Sequence, residues 1–541
     1  MTDRADTFDV VIVGGGHNGL VAAAYLGRAG LKVAVLEARG SLGGPCGTYE
    51  FMPGYRTAFT NSAGSFEPRF VDELNLASFG LRFLPTNPTV VHPFPRGTFI
   101  GWRDRARIAG QLNAFARGEA DRYFQLLARL EELGRHLGAS VFAPSPSLST
   151  IARAVPAELQ RLFERVFFGS LRQLLDEELV SEEAKALLAI VALNATLAPP
   201  SAPGTAIGLM MRPLSLASTP ALSPDDPRRV PLRGSSGLPL GGMGAVIDAL
   251  AGCCRSLGVT MLTDAPVLRV LHEGGRVSGV VTRAGDEYRT ARVISAINPK
   301  TLFADLLDDA AVGAALRQDI AAVPMRGSAF KIVLALDGLP RYAGLPDDVG
   351  AADVAGVQFR VAPSLDAIER SVSEGLSGVP SHEPIMWGLI PTVTSPELAP
   401  PGRHLLSINA WHAPYALAHG NWSDMRDVFG WRCVDVLSRL MPDLKDRIVA
   451  HRFMAPNDIE EELGLVASNI THGDMLPANL FGARPHAAVH AYKTPLDGLF
   501  LSGSGVWPGG YVTGIPGFNA STAVLADIQG TVPASAYTYK D

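Results

Sequence analysis

The chain has 541 residues, of which 47% are apolar and 18% charged, with a formal charge of −6 at neutral pH. That length exceeds what one hydrophobic core can hold and implies at least two lobes, and the acidic balance gives no electrostatic case for nucleic acid as a partner. Its four cysteines (Cys46, Cys253, Cys254, Cys433) have neither metal-site nor disulfide spacing, so no metal is expected, and no uncharged apolar run is long enough to span a bilayer. The polar N-terminus does not read as a signal peptide. A cytoplasmic protein is expected, with peripheral membrane contact and a homodimer left open.

The opening "FDVVIVGGGHNGLVAAAYLGRAGLKVAVLEAR" begins with a β-branched apolar run at 10–13, suited to a buried parallel strand. Gly14, Gly16 and Gly19 follow at G-x-G-x-x-G spacing: a tight turn, close approach of backbone to a pyrophosphate, and close helix–strand packing. Residues 20–29 read as a helix whose N-terminal N–H groups face the phosphates, and 31–36 as the second strand. Glu37 closes that strand, where a carboxylate can accept bonds from ribose hydroxyls. Arg39, Gly43 and Gly44 lie in a loop expected to return to the nucleotide.

Residues 103–137 carry helical periodicity, and two further helices are expected at 157–175 and 181–195, with a Pro-rich break at 198–205. The stretch "LQRLFERVFFGSLRQLL" (159–175) reads as a packed helix, with a membrane-docking helix as the alternative. A second unit starts at the Gly241-Gly242 turn, runs through a helix ending at Leu257 that buries Cys253 and Cys254, and continues through a strand (259–262), a hairpin near Glu273 and a strand at 291–296. A strand begins after Ser328, mixed strand and loop signals reach about residue 415, and 424–441 is helical. The chain ends in a strand (499–502), a glycine-rich loop and a helix beginning near Gly517.

The segments "VVIVGGGHNGLVAAAYL", "LEARGSLGG", "LPLGGMGAVIDAL", "VISAINPKTLF", "SAFKIVLALDGLP", "HGDMLPANLFGARP" and "LFLSGSGVWPGGYVTGIPGFNAS" keep their order over nearly the whole chain. Together they resemble the FAD-dependent phytoene desaturase-like branch of the flavin amine oxidase superfamily. The resemblance implies an α/β protein. A discontinuous Rossmann-type FAD-binding lobe (1–100, 230–300 and 490–541) would be joined to a mixed-sheet and helical substrate lobe (101–229 and 301–489). It implies non-covalent FAD, with a cofactor set of Gly14, Gly16, His17, Asn18, Gly19, Glu37, Ala38, Arg39, Gly43, Gly44, Val267, Ala296, Gly503, Ser504, Gly510, Thr513 and Gly514. The chain departs from the family where a His-Pro-Gly-Gly-Gly motif is usual: it has Trp507-Pro508-Gly509-Gly510-Tyr511. Ser504 also stands where an acidic residue is common, and Pro45-Cys46 follows the Gly-Gly pair, with Cys46 read as a buried inert thiol.

A flavin carries the difficult redox step, so the protein need only position the substrate, exclude water and place a proton. Lys331, His412, His472 and Tyr511 are the titratable candidates. Lys331 is expected to snorkel from a sheet edge; by analogy, the alternative is a lysine linked through water to the flavin. Each histidine is either a proton acceptor or a satisfied loop residue. Trp507 and Tyr511 are expected to wall the substrate cavity, the alternative being outward packing against the second lobe. The leading functional expectation is an oxidoreductase that removes a hydride from an apolar small molecule. An amine oxidase returning electrons to oxygen and a flavin-binding protein with a structural or chaperone-like role are the alternatives.

Overall fold

The computed structural model describes residues 6–61, 65–194, 196–219 and 237–531. Its organising element is a five-stranded, all-parallel sheet ordered Thr260–Leu262, Val33–Leu36, Val10–Val13, Val293–Ser295, Leu499–Leu501. Four of these strands are short, apolar but for Ser295, and buried at every residue, as expected where helices cover both faces. The helix His17–Arg28 packs against both Gly244–Ser256 and Ile515–Gln529. Cys254 lies in that contact, its Sγ 3.4 Å from the Leu20 carbonyl. One α/β layer is thus assembled from the beginning, middle and end of the chain.

A four-stranded sheet (Asp6–Thr7, Glu287–Arg289, Arg276–Thr282, Val267–Glu273) flanks it. A larger mixed sheet has seven strands: Ile448–Met454, Ala329–Leu336, His404–Trp411, Met386–Leu389, Gln358–Val361, Val90–Phe94 and Gly97–Ile100. Its pairings are antiparallel except between Gln358–Val361 and Val90–Phe94. Residues 90–100 therefore hydrogen-bond into this second sheet, although a boundary at residue 100 would place them with the cofactor lobe. Their partner strand, Gln358–Val361, is far away in the chain, and no local pattern marks that pairing.

Two expected helices are each broken in two. The 103–137 segment forms Arg105–Phe115 and Glu119–His136, interrupted at Gly118 with φ +75°. The 157–175 segment forms Ala157–Phe167 and Leu171–Glu178, and the Ser170 hydroxyl caps the second by accepting from Gln173 N–H. Across both pieces Leu159, Leu162, Phe163, Val166, Phe167, Leu171, Leu174 and Leu175 are buried, so the apolar stripe faces the core. Among the described residues no helix is long and apolar enough to cross a membrane.

The fingerprint glycines separate by what surrounds them. A Cβ on Gly19 would stand 2.1 Å from the Gly14 carbonyl oxygen, whereas one on Gly16 would meet only the Gly43 oxygen, at 4.0 Å. Gly19 serves packing; the space beyond Gly16 is open. Gly19→Ala is accordingly expected to lower the melting temperature by several degrees and Gly16→Ala to leave it unchanged. Equal melting temperatures in thermal denaturation of the two apo-proteins would contradict this division.

Candidate active site

The parallel strands end at one edge, and the chain leaving each of them lines a single cavity of about 410 Å³. This is the usual location of a ligand in an open α/β sheet. Gly14, Gly16, His17 and Asn18 follow the first strand; Glu37, Ala38, Arg39, Gly43 and Gly44 follow the second; Val267, Ala296, Gly503 and Ser504 complete this side. Four members of the expected cofactor set do not reach the cavity. Gly19 packs against the Gly14 backbone, and a Cβ on Gly510 would lie 2.5 Å from Thr471 Cγ2. Thr513 accepts from Glu67 N–H through its carbonyl, and Gly514 sits against Val21, Phe66 and Phe70. The loop turns away after Val512, so these residues shape the wall from behind.

Glu37 is buried at the cavity rim. Its Oε2 accepts from Gly15 N–H at 2.8 Å and its Oε1 from Arg39 N–H at 3.0 Å. These two backbone donors fix the carboxylate and leave lone pairs for a hydroxyl pair. The Arg39 guanidinium stacks over Tyr49, 4.7 Å from the ring centroid, and donates to its hydroxyl at 2.9 Å; that hydroxyl donates to the Gly44 carbonyl at 2.6 Å. The return loop is thereby tied to the cavity edge. Cys46 lines the cavity, and burial pushes its thiol up to about 12, so it is protonated and inert, as expected.

His472 and Tyr511 reach the cavity, both with positive φ (+53° and +74°). Burial, followed by the nearby charges of Arg484 and His17, lowers His472 to about 4; burial lowers His17 to about 4 against a hydrogen bond with the Tyr511 backbone. Both imidazoles are neutral at pH 7.

The other three candidates lie outside the cavity. Lys331 is no edge lysine: it sits fully buried in Ala329–Leu336, between two neighbouring strands. Its Nζ donates to the Phe59 carbonyl (2.8 Å), Ser407 Oγ (2.7 Å), Asn409 Oδ1 (3.1 Å) and Asn61 Oδ1 (3.3 Å). Burial holds this amine well below the usual lysine range. Asn61 and Asn409 do line the cavity, so Lys331 stands one layer behind its wall. His412 follows the end of His404–Trp411, where φ +62° turns it away from the sheet face, and its Nδ1 pairs with Ser371 Oγ at 3.0 Å. Trp507 packs outward: its indole donates to the Ser140 carbonyl at 3.0 Å and stacks on Phe481 with centroids 4.9 Å apart.

Sequence reasoning missed the opposite wall. Trp387, Asn409 and Trp411 project from one face of the seven-stranded sheet, joined by Thr60 and Asn61. Asn409 and Trp411 share the period-2 alternation of their strand, so that strand contributes to the site through the residues preceding His412. The two indoles contact edge to face, with centroids 6.1 Å apart.

A family model described as flavin containing amine oxidoreductase matches residues 19–514. The chain is similar to pyridine nucleotide-disulfide oxidoreductase domain-containing protein 2 of Rattus norvegicus, 29% identical over 559 residues that cover 96% of this chain and 94% of that protein. It is similar also to a limonene dehydrogenase component of Castellaniella defragrans, 24% identical with 96% of this chain and 95% of that protein covered. Among solved structures, a putrescine oxidase bound to putrescine shares the fold with a TM-score of 0.63 and 17% identity, covering 97% of this chain and 99% of that one.

Two outcomes follow from the placement of these residues. Trp507→Ala should cost roughly 3–5 kcal/mol of stability and leave the spectrum of bound cofactor unchanged, whereas Tyr511→Ala should perturb the spectrum with little loss of stability. Thermal denaturation and absorbance of both variants check this, and the reverse pattern would return Trp507 to the cavity. The second outcome concerns acid. His17, His412 and His472 are lowered to about 4 and His92 to about 3, all chiefly by burial. The unfolded chain, titrating near 6.5, takes up these protons first as the pH falls. The stability they contribute is complete above pH 6.5 and is lost down to about pH 4, or about pH 3 for His92, on the order of 3–5 kcal/mol per group. His412→Gln should remove one such contribution, flattening stability against pH in urea titrations from pH 7 to 4.5. A profile parallel to wild type would contradict it.

Proposed function

Because the chain belongs to the flavin containing amine oxidoreductases, we propose that it is a dehydrogenase or desaturase-type enzyme that binds one FAD non-covalently and removes a hydride from an apolar small molecule. The residues fit that cofactor. Open space faces Gly16 at the N-terminus of His17–Arg28, which no side chain caps and where the helix dipole favours a pyrophosphate. Glu37 is held ready for the ribose hydroxyls, and the protonated Cys46 offers no thiolate for covalent attachment. When bound, FAD supplies the hydride acceptor.

The observation that carries the substrate reading is the charge of the cavity wall. Among its described residues Glu37 is the only buried carboxylate, and two backbone donors already engage it; Asp305, Glu461 and Glu462 are exposed. A protonated amine enclosed there would lose water without gaining a counter-charge. An apolar molecule would instead meet Trp387, Trp411, Leu465, Ile470 and Val512. The likeness to the limonene dehydrogenase component supports this reading; the putrescine oxidase shares the fold alone.

Anaerobic mixing of the yellow holoprotein with terpenes or other apolar alkenes, beside primary amines, tests the proposal. Bleaching of the flavin band by the apolar set, with slow recovery in air, is expected. Bleaching by amines alone with fast recovery would replace it with an amine oxidase, and bleaching by neither would leave a flavin-binding protein without turnover. Gly16→Val protein, folded but colourless, is the expected control.

A further inference from the structure

Arg484 is nearly fully buried, yet its guanidinium touches no carboxylate. It is surrounded by main-chain carbonyls instead. Nη2 donates to the Thr471 carbonyl and to the Ser504 carbonyl at 2.8 Å; Nη1 donates to Asn479 O at 3.1 Å, and both reach Gly473 O at 3.4 Å. Thr471 and Gly473 flank His472, and Ser504 follows Gly503; His472, Gly503 and Ser504 all line the cavity. One side chain therefore joins the two loops that form this part of the wall. The nearest acid, Asp474, is committed elsewhere, accepting from Arg326 N–H, Gly327 N–H and Asn469 Nδ2 at 3.1 Å each, with Arg326 Nε 3.5 Å from its other oxygen. The charge of Asp474 still reaches Arg484, but it is shared with the half-exposed guanidinium of Arg326, while His472 and His17 add no charge at neutral pH.

Burying a guanidinium is costly, and carbonyl dipoles offset the cost without cancelling the charge. A fixed positive charge in a dry wall favours negative charge that develops beside it. Resting on the FAD reading above, we propose that Arg484 is a positioning residue of the flavin site. It clamps the His472 loop to the Gly503–Ser504 turn and holds a buried positive charge behind them that favours the reduced, anionic flavin.

The test compares holoprotein of the wild type with Arg484→Met, which removes charge and donors, and Arg484→Lys, which keeps the charge but cannot span the carbonyls. FAD dissociation constants should rise roughly tenfold or more in both variants. The midpoint potential of the bound flavin should shift negative in Arg484→Met and stay near wild type in Arg484→Lys. An unshifted potential in folded, FAD-loaded Arg484→Met overturns the electrostatic role. Should that variant not fold, Arg484→Lys decides: FAD bound as tightly as by wild type overturns the clamp. Wild-type protein that binds no FAD overturns the cofactor reading itself and this inference with it.

Discussion

The cavity exists because Val293–Ser295 pairs on one side with Val10–Val13 and on the other with Leu499–Leu501. That double pairing brings three segments, separated by hundreds of residues, to one carboxyl edge. Gly14, Ala296 and Gly503 meet there: a Cβ on Gly503 would lie 3.2 Å from the Ala296 carbonyl, and one on Gly14 2.9 Å from Ile297. Everything that acts on a bound cofactor hangs from this junction, including Glu37 on the neighbouring strand, the His472 loop facing Gly505, and the turn carrying Tyr511.

The nucleotide half of the site was legible because its determinants are local. Glycine spacing, an apolar strand and a closing acid lie within about thirty residues, and each has a steric or electrostatic reason to be there. The order of the later segments added the discontinuous sheet. The opposite wall was much less legible. Lys331 looked out of place in an apolar strand, but its acceptors come from Phe59, Asn61, Ser407 and Asn409, and only the folded sheet brings them together. His412 drew attention as an imidazole, while its neighbours Asn409 and Trp411 face the cavity. One residue of register decides between wall and core. Trp507 and Tyr511, close together in one loop, point to different places because the intervening Gly509 and Gly510 let the backbone turn sharply; Gly509 has φ +114°.

Helix ends show the same division. Asp104 and Ser170 act as caps through contacts within three residues, so the start of the first helix and the break before Leu171 were readable in principle; helical periodicity running on through Gly118 and Gly169 masked the two breaks. The assignment of 90–100 to the larger sheet had no such local signal, since a short apolar hairpin fits an exposed edge of either sheet equally well.

The charge distribution of the wall bears on the order of chemical events. His17 and His472 titrate near 4, Cys46 near 12, and the buried amine of Lys331 is one layer removed. An imidazole with that pKa is a poor resting base: at pH 7, protonating it is uphill by about three pH units, roughly 4 kcal/mol. Prior abstraction of a proton from an unactivated C–H bond would add that penalty to an already high barrier. In the hydride removal proposed above, departure of the hydride first would avoid it. On the function proposed above, the cation left on the substrate would be far more acidic than the starting molecule, so that a neutral imidazole at the cavity, such as His472, would suffice to accept its proton. A wall whose imidazoles are neutral and whose one buried carboxylate is already held by two backbone donors thus suits the reaction proposed above, with the redox step first and proton release after it.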